Sequence, residues 1–251
     1  MNFSSRRNES LNVIKGLHPV EEALNAGKSL EKIFIQKENK REGVPAIIKL
    51  AREREIPVQF VPGEKLRQLG AAHQGIAAIV SPVSFYRTDD IVSQVIERGE
   101  MPLLIICDRI TDVRNFGAIA RTAFASGVHA LIIPQSETAS INSEAMKASA
   151  GALNKIPVCR EKNLLPVIKT LKLHGVQILA ADAAGSKFIF ETDLKNPTAV
   201  VIGSEGEGIS KELLKVADEI VKLPMAVSFD SYNVSVAAGM ILYEVMKQRL
   251  G

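Results

Sequence analysis

The chain predicts an α/β fold in two modules, and three features carry that expectation. Strand-like apolar runs alternate with amphipathic segments over nearly the whole length. In the second half the runs are continuously apolar, as in Leu103-Leu104-Ile105-Ile106-Cys107, which implies a parallel sheet covered on both faces. Between the two alternations lies Pro82 to Pro102, with the polar segment SFYRTDD, a helix around Ile91–Glu97 and then Gly99, which reads as a connection. The expected boundaries are a disordered basic lead at 1–10, a smaller α/β module at 11–85, a linker at 86–101 and a parallel-sheet module at 102–251.

In the first module Val13-Ile14 leads into a helix at Pro19–Ala26 that Gly27 ends. Lys32–Gln36 is strand-like, Val44–Arg54 is an amphipathic helix, and Val58–Val61 is again a strand. A short helix at Glu64–Leu69 precedes the strand Gly75–Val80. In the second module strands are expected at Leu103–Cys107, Ala130–Ile133, Ile156–Cys159, Val176–Ala180, Ala199–Ile202 and Glu219–Leu223. Helices are expected near Phe116–Ser126, Ser143–Leu153, Leu164–Leu173, Lys211–Val216 and Tyr232–Arg249. The last is apolar nearly all round: from Val234 to Val245 only Ser235 and Glu244 are strongly polar. Such a helix lies in a core or between subunits.

A length of 251 residues can bury a substantial core, and 46% hydrophobic against 24% charged residues suits a globular protein in water. Scarce aromatics and the absence of Trp argue against stacking platforms as the main mode of nucleic-acid binding. The apolar runs are too short to span a bilayer and the polar N-terminus MNFSSRRNES lacks a signal core, so no membrane role and a cytoplasmic location are expected. Cys107 and Cys159 are isolated and read as reduced thiols, and no metal is expected. Residues 1–85 carry 13 Lys/Arg against 9 Asp/Glu, whereas the rest carries 18 against 19. A basic front half suits an anionic partner such as RNA, although so small an excess is also what a plain solvated surface carries.

Three segments of the second module follow expected strands at their C-terminal ends, where open α/β sheets bind ligands. In DRITDVRNFGAIARTA (108–123), Asn115 sits where a helix starts and Arg121 interrupts its apolar face. Taken singly, an N-cap explains Asn115 and a surface ion pair explains Arg121. In VVIGSEGEGI (200–209), three glycines permit a tight turn, but neither a dinucleotide fingerprint nor a Walker loop is present. Glu205 is a poor neighbour for phosphate, so a ligand held by backbone groups fits better. In LPMAVSFDSYNVSVAAGMILY (223–243), Ser231 can cap the last helix and Asn233 can satisfy a backbone carbonyl.

In combination, Asn-x-Gly-x-Ile-x-Arg-Thr-Ala, Gly-Ser-Glu-Gly and Pro-Met…Ser-x-Asn-Val-Ser-Val-Ala occur in the order of the three motifs of the SpoU/TrmH-type RNA ribose 2′-O-methyltransferases, which the chain closely resembles from about Leu103 to Leu250. Lys147-Ala-Ser-Ala-Gly-Ala-Leu153 is similar to that family's linking segment. IKGLHPVEEALNAG (14–27) resembles the ribosomal-protein-like RNA-binding domain of its ribosomal-RNA members.

The resemblance implies a deep trefoil knot in the C-terminal domain, an S-adenosylmethionine pocket formed by the knot, and a homodimer through that domain. An all-round apolar last helix agrees with the dimer. By the same resemblance Gly203, Leu223 and Tyr232 bind the cofactor through backbone groups with Met225 nearby. Arg121 is the catalytic residue, and Asn115, Glu205, Ser231 and Asn233 shape the site. The four His fall outside all three motifs, and an always-protonated guanidinium is better suited to holding a phosphate than to removing a proton. The sequence departs from the family where Val227 replaces Gly and Tyr232 replaces Leu, removing backbone freedom and enlarging a ring beside the implied adenine pocket. The function implied is methylation of a ribose 2′-hydroxyl of ribosomal RNA, a guanosine of 23S rRNA. The alternatives are a tRNA ribose methyltransferase, whose relatives usually lack the N-terminal module, and a non-catalytic RNA-binding or ribosome-assembly factor. A nicotinamide dehydrogenase lacks its glycine fingerprint here.

Overall fold

The computed structural model describes residues 12–227 and 229–251, so the expected lead at 1–10 lies outside the described residues. The chain divides into two compact units, the first running to Ser84 and also including Ile141–Ser143, the second made of Phe85–Ser140 and Glu144–Gly251. In the first unit, β1 (Val13–Lys15), α1 (Leu17–Asn25), β2 (Leu30–Gln36), α2 (Val44–Glu53), β3 (Val58–Val61), α3 (Gly63–Gln68) and β4 (Ile76–Val80) follow one another. The sheet order is β1-β4-β2-β3, with β4 antiparallel to β1 and β2 and with β2 parallel to β3. Alternation along β2 sends Ile33 and Ile35 into a core with Leu24, Ile47 and Ala51, while Phe34 joins Leu66 and Ala77 in a second cluster. Helix α1 starts two residues before Pro19, which is tolerated because Pro in the first turn has no intrahelical acceptor to lose.

The second unit runs β5 (Phe85–Tyr86), α4 (Thr88–Glu97), β6 (Leu103–Asp108), α5 (Val113–Ala125), β7 (Ala130–Pro134), α6 (Ser143–Ala148) and β8 (Val158–Glu161). It continues with α7 (Leu164–Leu173), β9 (Gln177–Ala181), β10 (Lys187–Phe188), β11 (Thr198–Gly203), α8 (Lys211–Val216), β12 (Glu219–Lys222) and α9 (Val234–Leu250). These strands form one parallel sheet in the order β10-β12-β9-β11-β6-β7-β8-β5. Leu104, Ile106, Ala199 and Val201 share a core with Val92, Ile168 and Leu213 of α4, α7 and α8. The alternate residues of β6 and β11 point to the other face, where α5 and α9 lie against each other and bury Phe116, Ile119, Ile241 and Leu242. Among the described residues no helix is long and apolar enough to cross a membrane.

Residues 86–101 do not behave as the expected linker. β5 pairs in parallel with β8, and α4 buries Ile91, Val92 and Val95 in the sheet's core. The helix begins at Thr88, whose backbone N–H and hydroxyl donate to Glu161 at 3.1 and 2.6 Å. The helix expected over Ser143–Leu153 is also interrupted. Ala150 and Gly151 adopt positive φ of 49° and 82°, which ends α6 and leaves a separate 3-10 turn at Ala152–Asn154. Both cysteines are free and buried, and burial pushes each thiol up to about 12.

Arg249, at the end of α9, ties the helix to two loops. Its guanidinium donates to the carbonyls of Leu194, Met101, Pro102 and Asn196 at 3.0, 3.1, 3.3 and 2.7 Å. Arg249→Ala leaves these carbonyls without that donor. Unfolding free energy is expected to fall by about 2–3 kcal/mol, read as a melting temperature lower by roughly 4–10 °C in a thermal scan.

Candidate functional site

The order in which successive strands are added reverses at the centre of the sheet, where β11 is inserted between β6 and β9. Such a switch point leaves a crevice at the C-terminal strand ends. All three sequence segments meet there. Gly203 closes β11, and the following turn folds back so that Ser204 and Gly208 exchange backbone hydrogen bonds of 3.2 and 3.0 Å. A Cβ on Gly203 would run into the Gly208 carbonyl and the Ile209 nitrogen, so only glycine fits. Gly206 and Gly208 take positive φ of 93° and 67°, which completes the turn.

Glu205, carried on this turn, is the hub of a polar cluster. Its Oε1 accepts from Asn115 Nδ2 at 3.0 Å and from Asn233 Nδ2 at 2.6 Å, and Asn233 Nδ2 also donates to Asn115 Oδ1 at 3.0 Å. The Asn233 oxygen caps α9, accepting from the Ser235 and Val236 backbone N–H groups and from the Ser235 hydroxyl. Asn233 therefore has both amide hydrogens and its oxygen engaged, and one residue couples the last helix to the other two segments. Asn115 is not the helix cap that its position suggests. Asp112 fills that role, accepting from the Asn115 N–H at 2.7 Å, and this frees the Asn115 side chain for Glu205.

Two adjoining clefts open beside the cluster. One, of about 420 Å³, is lined by Gly203–Gly208, Ala181–Ala183 and the 230–232 segment. The other, of about 260 Å³, is mostly apolar and lies between Phe188, Leu223, Met225, Val227, Phe229 and Tyr232. Ser231 and Tyr232 line both. The Tyr232 hydroxyl donates to the Pro224 carbonyl at 3.0 Å, which holds the ring against the 223–225 segment. Val227 is 73% exposed at the rim, so its side chain has room there. The polar lining is carboxylate-rich, with Asp182, Glu205, Glu207 and Asp230, and Lys222 lines the apolar cleft.

Eight of the nine sequence-derived site residues thus belong to the cluster or the clefts. The ninth, Arg121, is exposed on α5 and forms no hydrogen bond or ion pair among the described residues. It lies six residues beyond Asn115, roughly 9 Å along the axis and a third of a turn round. Sequence reasoning missed Asp182, which lines both clefts, and its only signal was its place one residue past a strand. It also missed Arg109, which holds the 204–208 turn from the end of β6. Among the described residues no group of three or more His, Cys, Asp or Glu could hold a metal ion.

Residues 102–243 match the model of the SpoU rRNA Methylase family, and residues 13–86 match a domain described as RNA 2′-O ribose methyltransferase substrate binding. A protein of Staphylococcus saprophyticus assigned to the TrmH family of tRNA/rRNA methyltransferases is 39% identical over 94% of this chain and 96% of its own. The AdoMet-bound rRNA methyltransferase from Sinorhizobium meliloti is similar in structure, with a TM-score of 0.62 and 26% identity over 96% of this chain and 88% of its own. The TrmH/SpoU tRNA modifying enzyme of A. aeolicus has a TM-score of 0.55 and 32% identity but covers only 64% of this chain and 84% of its own.

Proposed function

The chain belongs to the SpoU rRNA methylase family, and we propose that within it the protein methylates a ribose 2′-hydroxyl of ribosomal RNA, a guanosine of 23S rRNA. It is an S-adenosylmethionine-dependent RNA methyltransferase. The observation that carries the proposal is the Asn115–Glu205–Asn233 cluster, which brings all three motifs together at the lip of the clefts. A first unit resembling a substrate-binding domain favours rRNA over tRNA, since the tRNA-modifying neighbour spans much less of the chain. Work in the cytoplasm, where ribosomal RNA is assembled, completes the reading.

The residues present fit the cofactor. No Lys/Arg cradle for polyphosphate lines the larger cleft, whereas four carboxylates there suit a ligand bearing a sulfonium and an ammonium. Gly203 lines the larger cleft, and Leu223, Met225 and Tyr232 offer an apolar wall to a purine. When bound, S-adenosylmethionine supplies a methyl group on a sulfonium, already a good leaving group. Positioning by this chain therefore supplies much of the rate. The cluster fixes Glu205, Asn115 and the start of α9, and Ser231 borders both clefts within reach of an incoming ribose.

In this reading Arg121 holds an RNA phosphate and stabilises negative charge developing on the 2′-oxygen, while a phosphate oxygen or water takes the proton. Its lack of a hydrogen-bond or ion-pair partner among the described residues supports such a role. The reading also includes a homodimer. Val236, Tyr243 and Leu250 are 52%, 65% and 86% exposed along one stripe of α9, an apolar face that a second copy would cover. A deep trefoil knot belongs to it as well, supported by the approach of residues 230–233 to the turn after β11. The test is incubation with radiolabelled S-adenosylmethionine and total RNA from cells lacking the gene. Label in 23S RNA is expected, and label in tRNA instead would replace the rRNA reading with the tRNA one.

A further inference from the structure

Immediately after β6, Arg109 sits in the left-handed region with φ of +57°, a backbone that costs a side chain about 1–2 kcal/mol and that glycine adopts freely. Its buried Nε makes no hydrogen bond among the described residues, and lies 3.8 Å from the Asp108 carboxylate as a longer ion pair. Strain concentrated at one residue beside a functional cleft calls for a compensating role.

The side chain supplies one. Nη1 pairs with the Glu207 carboxylate, and Nη2 donates to the Gly208 carbonyl at 3.3 Å. The neighbouring Asp108 accepts from the Ser210 N–H at 2.6 Å, so the end of β6 grips the last residues of the turn and the chain just beyond it. Glu207 is 76% exposed, so its ion pair contributes little alone. What matters is that both contacts hold the exit side of the Ser204–Gly208 closure on which Glu205 rides. We propose that Arg109 is a positioning residue, latching the 204–208 turn so that Glu205 meets Asn115 and Asn233 and the cofactor cleft keeps its shape. The inference rests on the methyltransferase reading of this site.

The latch is tested with Arg109→Gly, which removes the guanidinium and relieves the backbone cost together. S-adenosylhomocysteine affinity is measured by calorimetry, the Gly208 amide by hydrogen exchange, and the fold by melting temperature. The expected result is about tenfold weaker binding and about tenfold faster exchange at Gly208, with melting within a few degrees of wild type. The KM for the cofactor rises in step with the loss of affinity. Arg109→Ala, which keeps the strained backbone, shows the same loss of affinity and melts lower. Binding and exchange both within twofold of wild type in Arg109→Gly would overturn the latch. Were wild type itself not to bind S-adenosylhomocysteine, the methyltransferase reading would fail, and the Gly208 exchange rate would still decide whether Arg109 holds the turn.

Discussion

Gly203→Ala is expected to weaken S-adenosylhomocysteine binding by more than roughly 100-fold, equivalent to about 3 kcal/mol. A methyl group at this position collides with backbone, the Gly208 carbonyl and Ile209 nitrogen, and not with a side chain that can swing away. Either the turn opens, dispersing Glu205 from Asn115 and Asn233, or β11 shifts against β6, with which it pairs over Thr198–Gly203. Both distort the larger cleft, which Gly203 through Gly208 line. Overpacking of this kind costs about 1–3 kcal/mol of stability as well, so calorimetry is performed well below the melting transition. Binding within tenfold of wild type would mean that the turn is not the cofactor's wall.

Asn233 offers the second large effect because it does two separable jobs. Its oxygen caps α9 and its amide nitrogen joins Glu205 and Asn115. Asn233→Ala removes both. Loss of the cap costs about 1–2 kcal/mol, while loss of an oriented polar group at a reaction centre is expected to lower turnover roughly 100- to 1000-fold. Asn233→Asp keeps an acceptor for the Ser235 and Val236 N–H groups but sets a carboxylate against Glu205. It is expected to retain near-wild-type helix stability and still lose turnover to a similar degree. A turnover loss in Asn233→Ala that Asn233→Asp fully restores would reduce the residue to a cap.

Much of the fold is legible in the sequence because its strands are buried on both faces. The runs at 103–107 and 199–202 have no polar alternation to mislead, and they pair in parallel in the middle of the sheet. Local signals fail where tertiary partners decide. β5 and β10 have two residues each and exist only because β8 and β12 present free edges to them. The polar composition of 86–90 suggests a linker, yet Thr88 is buried by its bond to Glu161, 73 residues away. The break at Ala150 and Gly151 is likewise a backbone choice, since Ala150 in a left-handed conformation has no sequence signature.

For the site, motif order nominates candidate residues, but spacing cannot say which of them meet. Asn115, Glu205 and Asn233 are separated by 90 and 28 positions and converge only because β11 is inserted beside β6. Asp112 was invisible as the true cap because Asn115, three residues on, is an equally good capping type. Arg109 was overlooked for a similar reason. An arginine after a strand carries no local signal, and only the positive φ together with the contacts to Glu207 and Gly208 distinguishes it. Arg121 shows the converse: its motif marks it, while the described residues give it no hydrogen-bond or ion-pair partner.

The central claim is tested most directly by mapping ribose methylation across 23S RNA by mass spectrometry in cells with and without the gene. One 2′-O-methylated guanosine is expected to disappear in the deletion, to return with the wild-type gene, and not to return with Arg121→Ala or Asn233→Ala. A methylation map of 23S RNA that is unchanged by the deletion would contradict it.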